Sequence, residues 1–279
     1  MSARRFGARL AAAMAEFGPV CVGIDPHPSL LSDWGLGRDG AGLREFGLRV
    51  VEAAAGAAAA VKPQSAFFER GGAGGIAALE AVLAAARQAG LLAVLDVKRG
   101  DIGSTMGAYA SAYLDDDAPL AADAITLSPF LGMGSLAPAV AAARDSGRGL
   151  FVLALTSNPE GGQVQRAVGP DGVSVAASIA ADVARLNRGA RPMGDFGLVV
   201  GATVGGAARE AGVDLEAVNG PLLAPGFGAQ GAGAAQLAEV FGSARANVLV
   251  ASSRAILARG PRVADLRSGI VQTARSVTV

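Results

Sequence analysis

One cysteine, one histidine and one tryptophan stand among 279 residues, and the first two scarcities each remove a class of chemistry. With Cys21 alone, an internal disulfide or a thiolate metal cluster is excluded, and its neighbours Val20 and Val22 suit a buried strand thiol better than a nucleophile. With His27 alone, a multi-imidazole zinc site is excluded, and a Ser-His-Asp relay would have to be built around that one residue. Net charge is absent too: 24 Lys and Arg balance 24 Asp and Glu, so no overall field draws nucleic acid or an anionic membrane surface. Long apolar runs are missing. Residues 50–61, for example, are broken by Glu52 and Gly56 well short of the roughly 20 residues of a membrane span. Arg4, Arg5 and Arg9 precede a short amphipathic stretch, 11–17, and not the apolar core of an export signal. A cytoplasmic protein is expected, with no nucleic-acid or membrane partner, whose chemistry rests on carboxylates, lysine and backbone dipoles.

What the sequence does have is a rhythm of short aliphatic runs and amphipathic segments. Strands are expected at 20–24, 58–61, 92–97, 124–127, 151–155, 196–200, 221–224 and 248–251. Helices are expected at 42–57, 74–88, 104–113, 135–145, 175–187, 203–211, 233–241 and 261–274, after an opening helix at 4–17. Strands apolar throughout their length imply a parallel sheet covered by helices. Eight such units, in a length close to the roughly 250 residues of a single barrel, favour closure over a doubly wound sheet. The expected fold is therefore α/β: one (β/α)8 TIM barrel with an additional N-terminal helix, filling residues 1–279 as a single domain. The segment 30–40, with Trp34, reads as a surface excursion. The loop 159–172, glycine-rich and carrying Gln163, Gln165 and Arg166, has the length of a mobile lid or of a plain surface connection.

In such barrels chemistry sits at the carboxyl ends of the strands. Polar residues recur there: Asp25, Lys62, Asp96 with Lys98, Ser128, Thr156-Ser157-Asn158, Gly226 to Gln230, and Ser252-Ser253-Arg254. Leu95-Asp-Val-Lys-Arg-Gly-Asp-Ile-Gly-Ser-Thr105 is the densest stretch. Strand alternation sends Asp96 and Lys98 from one face about 7 Å apart. Asp101 follows Gly100, where the chain can curl a second carboxylate toward Lys98 or toward the lysine of a neighbouring subunit. The spacing alone also suits an ordinary ion-pair network; the agreement among strand ends favours a catalytic cluster. Pro225-Gly-Phe-Gly-Ala-Gln-Gly-Ala232 opens a helix after the seventh strand and Arg254 follows the eighth. Exposed backbone N–H groups, a helix start and a guanidinium at that place suit a phosphate.

These residues resemble the orotidine 5'-phosphate decarboxylase family. The resemblance rests on Asp96, Lys98 and Asp101 in Asp-x-Lys-x-x-Asp, Asp25 in Gly-Ile-Asp-Pro-His, Lys62 in Val-Lys-Pro-Gln, and the Pro225-Gly226…Gln230 loop with distal Arg254. Val-Lys-Pro-Gln-Ser-Ala-Phe-Phe-Glu, Lys-Arg-Gly-Asp-Ile-Gly-Ser-Thr and Leu-Thr-Ser-Asn-Pro-Glu-Gly are similar to the longer bacterial, mycobacterial-like type 2 subgroup. The resemblance implies loss of carbon dioxide from orotidine 5'-phosphate to give UMP, the final step of pyrimidine nucleotide synthesis, with no metal and no organic cofactor. It implies that Lys98 stabilises the developing ring anion and donates the replacing proton, held charged and in place by Asp96 and Asp101. Lys62 and Asp25 would contact the ribose and support the array, Ser157 the pyrimidine, and Pro225, Gly226, Gln230 and Arg254 the phosphate. Asp101 and Thr105 would reach across a homodimer interface, so that two chains complete each site.

Two other readings bear on the same residues. A metal-dependent sugar-phosphate lyase on this barrel needs a carboxylate-rich site, yet Lys62-Pro-Gln stands after the second strand where an acid would be wanted. A catalytically silent phosphoribosyl sensor would keep Gly226, Gln230 and Arg254 without needing Asp96, Lys98 and Asp101 together.

Overall fold

A computed structural model describes residues 5–227 and 233–277. Eight parallel strands close in chain order into one barrel: β1 (Val20–Ile24), β2 (Ala60–Pro63), β3 (Leu92–Arg99), β4 (Ala124–Leu127), β5 (Gly149–Leu155), β6 (Phe196–Val200), β7 (Leu222–Pro225) and β8 (Val248–Ser252). The eight-stranded barrel with helices between its strands is thus the expected (β/α)8 fold. β1, β4 and β6 carry their expected bounds, whereas β2 starts two residues later than 58 and runs through Lys62 to Pro63.

Side chains alternate between two apolar clusters, as strand geometry requires. On β1, Val20, Val22 and Ile24 pack outward against the helices, while Cys21 points into the barrel; on β3, Ala93, Leu95 and Val97 face out, and Leu92 and Val94 face in. The inward cluster, with Ala60, Ala124, Phe151, Leu223 and Leu249, fills the barrel toward the strands' amino ends. The opening helix, Phe6–Phe17, plugs that end. Its Phe6 meets Phe151 edge to face at 5.9 Å, and Arg9 pairs with Asp123 at 2.5 Å. The extra N-terminal helix is therefore a stopper that seals the barrel opposite the strands' carboxyl ends.

Two segments differ from the sequence reading. Residues 28–33 form a short helix, and Trp34 is buried, stacked on Phe46 with ring centroids 4.2 Å apart. The indole fits because Gly260 lacks a Cβ, a long-range accommodation that local sequence does not reveal. The loop after β5 holds a 3-10 turn, Pro159–Gly161, and a helical turn, Gly162–Gln165. Gln165 ties it to the strand end: its side-chain carbonyl accepts from the Thr156 backbone at 2.9 Å, and its amide donates to the Thr156 hydroxyl at 2.7 Å.

Candidate active site

The inward parity that fills the lower barrel with Ala60, Val94 and Ala124 continues upward to Lys62, Asp96 and Thr126. Each is two residues further along its strand, so the same face that carries the core carries a polar layer above it. All three are buried. Asp96 Oδ2 accepts from Lys62 Nζ at 2.8 Å, and Asp96 Oδ1 accepts from Lys98 Nζ at 2.6 Å and from the Thr126 hydroxyl at 2.8 Å. Lys62 also donates to Gln64 Oε1 at 3.2 Å.

Burial alone would drive the Asp96 carboxyl toward its neutral form, but the Lys62 and Lys98 ammoniums, by charge and by hydrogen bond, hold it far below the usual carboxylate range. Lys62 is shifted in the complementary direction. Burial opposes its charge, and the carboxylates of Asp96 and Asp25 more than compensate, so its pKa is raised. Asp96 is thus a fixed anion and Lys62 a fixed cation at neutral pH. Cys21 lies one layer below, where burial pushes its thiol up to about 12 despite the pull of Lys62. It is inert packing.

Lys98 departs from regular strand geometry. Its φ is +45°, in the left-handed region that side chains disfavour. The β3–β4 register passes from Leu95↔Ile125 to Arg99↔Leu127, so residues 96, 97 and 98 face Thr126 alone. Simple alternation therefore places Asp96 correctly, but Lys98 reaches it from a bulge, with a half-exposed side chain.

Beside this array lies a cavity of about 580 Å³ whose wall includes Asp25, His27, Lys62, Gln64, Phe67, Pro225, Gly226, Ser253 and Arg254. Among the described residues, Asp25 Oδ1 and Ser253 Oγ are buried there without a hydrogen-bond partner. Polar atoms left so are expected to meet a ligand, since an unsatisfied buried group is otherwise costly. Gly23 makes the approach of β8 to β1 possible, for a Cβ at that position would lie 2.6 Å from that of Ser253. His27 packs across Phe67 with ring centroids 4.3 Å apart, and its backbone N–H donates to the Asp25 carbonyl at 2.7 Å. A larger cavity, about 670 Å³, opens at the plugged end among Met14, Pro19 and Met193; among the described residues it brings no carboxylate or lysine.

The remaining expected residues are placed differently. Asp101 accepts from its own Ile102 N–H at 2.8 Å, and among the described residues it makes no ion pair with Lys98. Thr105 is exposed in the first turns of the helix Gly103–Leu114. Ser157 is exposed and lines a separate cavity of about 190 Å³ with Thr156, Asn158 and Gln165. Gln230 lies outside the described residues. Sequence reasoning assigned no role to Thr126, Gln64 or Ser253. For Thr126 the signal was available: counting in twos from Ala124 puts it on the inward face.

The family model described as Orotidine 5'-phosphate decarboxylase / HUMPS family matches residues 18–268, which includes every strand of the barrel and every polar strand end. The chain belongs to this decarboxylase family. A curated orotidine 5'-phosphate decarboxylase from Streptomyces coelicolor is 60% identical over 263 residues, covering 94% of this chain and 93% of the relative. One from Corynebacterium glutamicum strain R is 45% identical over 272 residues, covering 96% of each. A Streptomyces avermitilis crystal structure assigned to the same decarboxylase activity superposes with a TM-score of 0.95 at 57% identity, covering 100% of this chain and 96% of that one. The OMP decarboxylase of Leishmania donovani matches with a TM-score of 0.76 at 30% identity, covering 98% of this chain and 97% of its own. Family membership thus spans the barrel as a whole and the strand ends that carry the charged array.

Proposed function

We propose that this chain converts orotidine 5'-phosphate to UMP and carbon dioxide, the last step of UMP synthesis, by means of its own side chains. The observation that carries the reading is the series Lys62, Asp96, Lys98, hydrogen-bonded end to end beside a cavity that holds unpartnered polar atoms. The relatives that match at 60% identity over nearly their whole length bear that activity in their names.

The chemistry needs a fixed cation. When the bond between the ring carbon and the carboxylate carbon breaks, carbon dioxide leaves and the electron pair stays on a ring carbon with no conventional sink. The Lys98 ammonium stabilises that pair and then gives it a proton; the resulting amine is recharged from solvent. Asp96 cannot be the proton source, because its neighbours keep it ionised, so its work is to hold the Lys98 ammonium in place. Its negative charge also faces the substrate carboxylate, which raises the energy of the bound ground state relative to the carboxylate-free transition state. Lys62 anchors the array, and with Asp25 it binds the ribose hydroxyls. Pro225, Gly226, Gln230 and Arg254 take the phosphate, whose binding energy aligns the reacting ring from a distance. The family resemblance gives Ser157 to the pyrimidine, although its side chain lines the separate cavity after β5.

The active unit in this reading is a homodimer with shared sites. Ile102, beside Asp101 on the loop after β3, and Phe130 and Leu131, on the loop after β4, are exposed apolar side chains, and the two loops meet where the Ser128 N–H donates to the Arg99 carbonyl. A second copy laid on that patch would cover them and bring Asp101 and Thr105 to the partner's Lys98. The enzyme is cytoplasmic and takes neither nucleic acid nor membrane as a partner, a reading supported by balanced charge and by the lack, among the described residues, of a helix long and apolar enough to cross a bilayer.

The test is turnover of orotidine 5'-phosphate by purified protein in a strong chelator, followed by pyrimidine absorbance. Full turnover is expected. No turnover would contradict the reading, and turnover restored only by a divalent metal would replace it with a metal-dependent one.

A further inference from the structure

We propose that Thr126 is a positioning residue for the decarboxylation, its single hydroxyl fixing both the backbone and the ion-pair partner of Lys98. This rests on the reading of Lys98 as the proton donor. Thr126 is the one residue of β4 opposite the three-residue bulge of β3, where the regular ladder lapses. Its side chain takes over the lost contact. Thr126 Oγ1 accepts from the Lys98 backbone N–H at 2.9 Å and donates to Asp96 Oδ1 at 2.8 Å. The direction is forced, since a backbone N–H can only donate and an ionised carboxylate can only accept, leaving the one hydroxyl proton for Asp96. A left-handed backbone at a non-glycine residue persists only where its surroundings over-determine it. At Lys98 the ties are this bond to its amide and the 2.6 Å contact of its ammonium with the same carboxylate oxygen that Thr126 holds. Thr126 is 1% exposed whereas the Lys98 side chain it steadies is half-exposed, so it acts on substrate only through Lys98 and Asp96. Its β-branched side chain, stiff about χ1, suits a fixed relay better than serine.

The experiment compares two pairs that differ in the hydroxyl: wild type with Thr126→Val, which puts a methyl in its place, and Thr126→Ser with Thr126→Ala, which removes it outright. In each pair, loss of the hydroxyl should lower kcat about 10- to 100-fold, the scale for a hydrogen bond to a charged group. KM and UMP affinity should stay within about threefold, because the interaction sharpens in the transition state. Thr126→Ser should recover most of the loss seen in Thr126→Ala. A Thr126→Val enzyme within about twofold of wild type, a serine variant as slow as the alanine variant, or a KM rise matching the kcat loss would overturn the proposal. Should the valine variant fail to fold, the serine and alanine pair decides alone. Lys98→Ala is assayed alongside. Near-normal turnover there removes the assignment of Lys98 and the proposal with it, whereas a dead Lys98→Ala beside a normal Thr126→Val removes the relay alone.

Discussion

The two ends of this barrel are built from the same inward-facing register and do opposite things with it. Below, Cys21, Ala60, Val94, Ala124 and Phe151 pack against Phe6 and Leu10 of the N-terminal helix, and the end is closed. Above, two residues further along the strands, Lys62, Asp96 and Thr126 replace aliphatics with charge and hydroxyl, and Asp25 Oδ1 and Ser253 Oγ go without partners. The lower layer supplies stability from apolar burial and needs nothing else. The upper layer is internally paired at Asp96, while two polar atoms of its cavity wall have no partner among the described residues. Since one end is built of apolar contacts and the other of charged and hydroxyl groups, mutations at the two ends should separate stability from turnover.

The variant expected to blur the separation most is Asp96→Ala. It leaves the buried Lys62 ammonium without its counter-ion and frees Lys98, so kcat should fall by at least about 10³-fold, and stability should drop by about 3–5 kcal/mol. The pH dependence has a definite sign. A carboxyl lowered in the native state contributes fully above its ordinary value of 3.8, and the contribution fades as pH falls toward the native value. Lys62, raised from 10.5, contributes fully below that value and loses its share as pH rises beyond it. The stability gap between wild type and Asp96→Ala, read by denaturant midpoints, should therefore be flat across about pH 5–9 and narrow on either side.

Arg254→Ala sharpens the contrast within the upper layer. It should raise KM for the phosphorylated substrate about 10- to 100-fold while leaving slow turnover of the dephosphorylated nucleoside unchanged. Equal losses for both substrates would place Arg254 away from the phosphate. Complementation tests whether the upper layer is finished by a second chain. Mixing inactive Lys98→Ala with inactive Asp101→Ala should restore about a quarter of wild-type activity, since half the dimers are mixed and each has one intact site. Mixed dimers verified by mass and still inactive would confine Asp101 to its own chain. The smallest catalytic effect belongs to the lower layer: Phe6→Ala should cost about 3–5 kcal/mol of stability, yet leave kcat within about twofold of wild type.

Much of this contrast was legible in the sequence, because it follows from parity. Aliphatic runs gave away the strands, and polar residues just beyond them marked the open end. What resisted reading was whatever depends on residues far apart in the chain. Lys62 looks like a residue after β2 but is a buried member of it, since pairing with β1 carries the strand on to Pro63. Trp34 looks like surface until Gly260 is seen to make room for it. The helix expected at 203–211 shrinks to Ala207–Glu210, with Gly205 and Gly206 immediately before it, and Gly205 has a φ of +54° that a helix cannot continue. The bulge at Lys98 has no local signature, because it is fixed by a hydroxyl on the neighbouring strand. Asp101 makes no ion pair with Lys98 among the described residues of one chain, which is why its proposed role, like that of Thr105, requires a partner.

The most direct test of the central claim, that Lys98 in the upper layer carries the chemistry and not the fold, is Lys98→Ala measured for kcat, UMP affinity and melting temperature in one preparation. A kcat loss of at least about 10³-fold is expected, with UMP affinity within about tenfold and an unchanged melting temperature. A folded variant that turns over orotidine 5'-phosphate at near wild-type rate would contradict it.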